Sequence, residues 1–200
     1  MKLSRLFVAI MAALMFFSVA QAADNKEEES SPANSLELIS YRGDVAAKLY
    51  SEHEVMENLV VYVNATKQKG FGEITVGPAY YITPELQVGV SAGVAHYASA
   101  DEDAKSNHKV VSGFVYYKSD AVEGELAVAR YSRDSEPWWY QAYVQVPISN
   151  NWAAGIFGEA SIGWGPRLAF APHKRVTLWL SPLIKREGDN RLVGGIAVVF

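Results

Sequence analysis

Cysteine is absent from the 200 residues, so hydrogen bonding and burial alone must hold the chain together, even in an oxidising compartment. Basic residues are outnumbered, 18 against 22 acids for a formal charge of -4, which excludes a broad nucleic-acid-binding face. No Gly-rich phosphate loop, zinc-ligand spacing or HExxH motif occurs, so no cofactor and no metal centre is expected. From Leu59 onward no helix of ordinary length fits, because glycine, proline or clusters of β-branched and aromatic residues interrupt every window. What remains is a chain of one-domain length, 50% hydrophobic, with 15 glycines, 5 Trp, 11 Tyr and 8 Phe, a balance that favours many short strands.

The first 22 residues read as a secretory signal peptide. Lys2 and Arg5 form a positive start, Leu6 to Phe17 an apolar run too short to span a bilayer, and Ala20-Gln21-Ala22 a cleavage site. Residues 23–35, with Glu27, Glu28 and Glu29 in a row, read as an acidic tether. Residues 36–58 stay open between a strand hairpin and an amphipathic helix: Leu36, Leu38 and Ser40 alternate, whereas Val45 to Met56 fits either period.

Ten strands follow, at about 59–66, 71–82, 85–97, 109–118, 123–132, 137–147, 151–162, 164–171, 174–184 and 191–200. Their connections alternate. Thr83-Pro84, Ser119-Asp120-Ala121, Ser149-Asn150 and Pro172-His173 are tight, whereas 99–108, 133–136 and 187–190 are longer or charged. Short turns on one side and longer loops on the other are the habit of transmembrane barrels. A hairpin at Leu36 to Tyr50 would raise the count to twelve.

The strands have two faces. Leu86, Val88, Val90, Ala92 and Val94 alternate with Gln87, Gly89, Ser91, Gly93 and Ala95; Trp138, Tyr140, Ala142, Val144 and Val146 alternate with Trp139, Gln141, Tyr143 and Gln145. Two closed barrels fit this pattern and are inversions of each other. A soluble, lipocalin-like periplasmic carrier turns its apolar face inward, whereas an outer-membrane barrel turns it to lipid. Pro137 to Gly158 contains no charge, and its Gln141, Gln145, Pro147, Asn150 and Asn151 make it a poor spanning helix, so it reads as two lipid-facing strands. Tyr80, Tyr81, Tyr116, Tyr117 and Trp152 lie near the tight turns and Tyr97, Tyr131, Trp138, Trp139 and Trp164 near the opposite ends, as two aromatic belts would.

Taken with the leader, the closing run Val193 to Phe200 resembles the small outer-membrane β-barrel proteins of Gram-negative bacteria. Their last strand typically ends in an aromatic residue, with an apolar residue two positions earlier and a glycine five earlier. Phe200, Val198 and Gly195 match; Val193 stands where a polar residue is usual. The resemblance implies an all-β, antiparallel up-and-down barrel of eight to twelve strands in the outer membrane. Its partners would be membrane lipid, lipopolysaccharide and the barrel-assembly machinery.

If Phe200, Val198 and Ile196 face lipid, strand parity turns Glu73, Glu125, Glu159, Arg167, Arg175 and Arg191 inward, a balanced charge network that favours pairing and a filled interior. The expected role is a structural or small-solute-handling, porin-like barrel without catalysis. The alternatives are a lipid A-modifying enzyme and the soluble carrier. Some outer-membrane barrels modify lipid A with a His, a Ser and a carboxylate near the outer rim, and His96, His108 and Ser112 are the weak candidates here; His96-Tyr97-Ala98-Ser99 lacks the His-x-Ser spacing of the deacylase. Asp101-Glu102-Asp103 reads as a solvated loop and Arg42-Gly43-Asp44 as a chance tripeptide.

Overall fold

A computed structural model describes residues 34–41, 44–98, 105–132, 138–160, 162–184 and 191–200. The signal peptide, residues 23–33 of the tether, Arg42-Gly43 and Asp101 to Asp103 lie outside the described residues. The strands are β1 (Ser35–Tyr41), β2 (Asp44–Met56), β3 (Leu59–Gln68), β4 (Phe71–Thr83), β5 (Leu86–Ala98), β6 (Lys105–Lys118), β7 (Glu123–Tyr131), β8 (Trp138–Pro147), β9 (Trp152–Glu159), β10 (Gly163–His173), β11 (Val176–Leu183) and β12 (Arg191–Val199). Each pairs antiparallel with its sequence neighbours, and β1 pairs with β12, closing the barrel so that no sheet edge is left. The open segment 36–58 is therefore mostly the first hairpin, and twelve is the count. Asn34 and Ser35 belong to the barrel rather than the tether, since Ser35 pairs with Val199 and with Tyr50.

Parity decides the orientation. Leu38, Val76, Val90, Val94, Val111, Leu126, Val128, Val144, Ile156, Leu168, Leu180 and Ile196 all point outward and are exposed. Inward-pointing positions hold the buried polar groups Glu52, Thr75, Gln87, Ser91, Gln145, Glu159 and Arg167. An apolar outer girdle around a polar interior is the arrangement lipid requires and water penalises. The belts split by the same rule: Tyr80, Tyr117, Trp138, Tyr140, Trp152 and Trp164 are outward and exposed, while their neighbours Tyr81, Tyr116, Tyr131 and Trp139 bond inside.

Two Gly-Pro steps bend the wall. On β4, Gly77 and Pro78 form no pair with β5, although Val76↔Ala92 and Ala79↔Gly89 on either side keep one register. On β10, Gly165 to Arg167 form no pair with β11 between Trp164↔Ile184 and Leu168↔Leu180. Proline donates no backbone hydrogen bond and glycine lets another backbone approach. A Cβ at Gly77 would stand 1.9 Å from the Val90 carbonyl oxygen, and one at Gly165 would stand 1.9 Å from that of Pro182. The adjacent strand thus folds over each glycine. At the second corner Ser181 Oγ donates to the Pro166 carbonyl at 2.7 Å, replacing a ladder bond. The bends bring β4 toward β6 and β9 toward β11, strands that are not ladder neighbours. Ile39 and Ala46 on β1 and β2 share a core with Phe157 and Ala169 on β9 and β10, through Trp179 and Val193 on the strands between them.

Candidate functional site in the barrel interior

Side chains on non-adjacent strands of a closed barrel can meet only through its interior, and several do. Lys48 on β2 donates to Gln141 Oε1 on β8, six strands away, and its ammonium lies 5.5 Å from the Trp139 ring. Tyr62 on β3 packs edge-on against Phe114 on β6, with centroids 5.1 Å apart. The interior is spanned by side chains rather than empty.

Carboxylates sit on this inner face and are held chiefly by neutral donors. Glu52, 1% exposed, accepts from Tyr50, Gln87 and, at 2.9 Å, Tyr81. Glu123 accepts from Tyr143 at 3.0 Å, Tyr116 at 3.2 Å and Gln145 at 3.3 Å. Tyr131 donates to Glu73 at 2.6 Å, Trp179 to Glu37 at 2.7 Å and Trp139 to Glu159 at 3.3 Å. Glu125 shares the inner face of β7 with Glu123, opposite Tyr143. Lys118, at the mouth, stands 4.0 Å from Glu123. Among the described residues, Glu37, Glu52, Glu73 and Glu125 have no cation within ion-pair distance.

The interior cations are likewise held by neutral groups. Arg167 donates through Nε to Gln145 at 3.1 Å, and its guanidinium lies 4.3 Å from the Trp179 ring and 4.8 Å from that of Tyr143. Arg191, on the inner face of β12, keeps a buried Nε that has no hydrogen-bond partner among the described residues.

Of the six charges expected inside, Glu73, Glu125, Glu159, Arg167 and Arg191 stand on inward positions, whereas Arg175 is exposed in the turn between β10 and β11. Parity counting overran the end of the strand there. Glu37, Lys48, Glu52 and Glu123 were not foreseen. The first three lie on the hairpin that the sequence left open, and Glu123 was passed over although it shares the parity of Glu125. With them, among the described residues, six carboxylates on the inner face stand against three interior cations, Lys48, Arg167 and Arg191, with Lys118 beside Glu123 at the mouth.

The three catalytic candidates are not brought together. His96 is on the outer face, with Nδ1 2.8 Å from Asn107 Oδ1. His108 is inside, against Ser106 Oγ at 2.8 Å, and Ser112 shares a 2.7 Å hydroxyl bond with Ser91. A different polar group occupies the outer wall beside the closing seam. Ser51 Oγ donates to Asn34 Oδ1 at 2.6 Å and lies 3.4 Å from His53 Nε2. The Ser51 proton is committed to Asn34 rather than to a base, and at 1% exposure the hydroxyl is shut off from substrate, so this set does not form a nucleophile. Phe200, of the expected assembly signal, donates its backbone N–H to the Asn34 carbonyl at 2.9 Å. A Cβ at Gly195 would meet the Trp179 indole nitrogen at 2.6 Å, and Val198 pairs with Leu36.

No protein-family model matches the sequence, and no curated protein does. Solved structures do match. A KdgM porin, also solved in complex with disordered oligogalacturonate, is 10% identical with a TM-score of 0.52, the match covering 84% of this chain and 99% of that one. Outer membrane phospholipase A from Escherichia coli is 10% identical with a TM-score of 0.52, covering 88% of this chain and 94% of that one. This chain shares with them the fold of a closed antiparallel β-barrel.

Proposed function

We propose that the protein is an outer-membrane barrel that passes small solutes through a narrow, side-chain-lined interior whose constriction is the Lys48–Gln141 bridge. The observation that carries this reading is the pairing of a continuous apolar outer girdle with inner-face polar groups that meet across the barrel. Matrix side chains of this kind leave room for ions and water-sized solutes rather than for bulky ones. Oligogalacturonate, found with the KdgM porin, is a polyanion. An interior with more carboxylates than cations argues against such a ligand here. On this reading the leader directs export, the assembly machinery reads the last strand through Gly195, Val198 and Phe200, and lipopolysaccharide surrounds the outer rim.

Planar-bilayer recording tests the proposal. Small unit steps are expected from the native barrel, and Lys48→Ala, which removes the bridging side chain, is expected to raise the unit conductance. Silence from both proteins after verified insertion would overturn passage and leave a purely structural barrel.

The phospholipase likeness is of fold alone. A lipid-hydrolysing role built on the outer-wall Ser51 would need that hydroxyl to be reactive, and Ser51→Ala is expected to leave the lipid composition of the membrane unchanged when analysed by mass spectrometry.

A further inference from the structure

Resting on the reading of the interior as a passage, we infer that it admits small cations in preference to anions. Three observations combine. Among the described residues, Glu37, Glu52, Glu73, Glu123, Glu125 and Glu159 lie on the inner face against Lys48, Arg167 and Arg191, with Lys118 beside Glu123 at the mouth. Tyr, Trp and Gln donors supply most of the hydrogen bonds to those carboxylates, and a neutral donor fixes a carboxylate in place without cancelling its charge. The interior therefore keeps a negative field, and low-dielectric walls focus such a field along the axis.

The third observation is independent of the acids. Tyr62 Oη and Thr75 Oγ1 are buried on the same inner face, and among the described residues neither has a partner in good hydrogen-bond geometry, although the Ser91 side chain lies beside Tyr62. Tyr62 is the ladder partner of Glu52 on one side and of Gly77 on the other, and Thr75 stands two residues before Gly77. Buried hydroxyls are costly to leave unpaired. Hydroxyl oxygens on the inner face that carries Glu52 are suited to a small cation, bare or hydrated, whereas an anion entering there would meet a face rich in carboxylates.

The sign of the interior can be read without any current flowing. Trp139 and Trp179 face inward, and Trp138, Trp152 and Trp164 face outward. In the full chain folded into phosphatidylcholine vesicles, with the three outward tryptophans replaced by phenylalanine, fluorescence is quenched by caesium or by iodide. Caesium is expected to quench roughly tenfold more effectively than iodide, relative to the ratio for free tryptophan, because a one-signed cleft concentrates counter-ions. Glu52→Gln and Glu125→Gln, made separately so that a folding failure in one leaves the other, should each reduce that preference about twofold. Equal or iodide-favoured quenching would overturn the inference. Where channels conduct, the reversal potential in a KCl gradient should take the sign of a cation-selective pore, and the opposite sign would overturn the inference while leaving passage intact. Silent bilayers with caesium-favoured quenching would remove passage and uphold the sign of the interior.

Discussion

Gly77→Ala is expected to leave the barrel unable to close. The added methyl would sit 1.9 Å from the Val90 carbonyl oxygen and 2.6 Å from Ser91 Cα, both backbone atoms of β5. A side chain can swing aside, but a paired strand cannot without giving up its ladder. Overpacking in a rigid interior costs about 3 kcal/mol or more when the neighbour cannot yield. The same strand provides the control. A Cβ at Gly72 would find nothing nearer than Lys67 Cδ at 3.6 Å, an ordinary contact with a flexible chain, so Gly72→Ala should fold like the native protein. Circular dichroism and the mobility of unheated samples on gels read the outcome. A native-like Gly77→Ala barrel would show that β5 does not fold over β4 at this corner.

The sequence shows period-two alternation plainly where one face is apolar and the other small or polar, as from Leu86 to Ala95, and those strands fall within a residue or two of their places. It fails on β1 and β2 for a physical reason. Their inner face carries Glu37, Lys48, Tyr50 and Glu52 beside Ile39 and Ala46, so polar and apolar residues mix on one side and Val45 to Met56 satisfies a helical period as well as a strand. The closing ladder with β12 resolves that segment, and it joins residues from opposite ends of the chain. Adjacent aromatic pairs such as Tyr80-Tyr81 and Trp138-Trp139 mislead in another way, since proximity to a turn does not say which face a ring takes. Parity sends one member of each pair to lipid and the other to a carboxylate. The interior network is the least legible part. Whether an inward carboxylate meets an arginine or a tyrosine depends on which strands face each other across the closed barrel, and the pattern of a single strand does not carry that.

Val90→Arg tests the orientation on which the interior reading depends. Val90 points outward at 61% exposure, and its ladder partner on β6 is Gly113, midway between the outward Tyr117 and Lys109. An arginine there would sit near the middle of the apolar girdle, where it costs about 2 to 4 kcal/mol in lipid. Were this outward face in contact with water instead of lipid, a change at such an exposed site would alter stability by no more than about 0.5 kcal/mol. Ser91 is the comparison one step along the chain and on the other face. Ser91→Ala forfeits the 2.7 Å hydroxyl bond to Ser112, a loss of about 1 kcal/mol. Guanidinium titrations of the three proteins in lipid vesicles should therefore rank native, Ser91→Ala and Val90→Arg in falling order of stability. If the arginine variant instead matched the native protein, the girdle would not be facing acyl chains. The polar groups that meet across the barrel would then have no membrane to conduct through, whatever their charge.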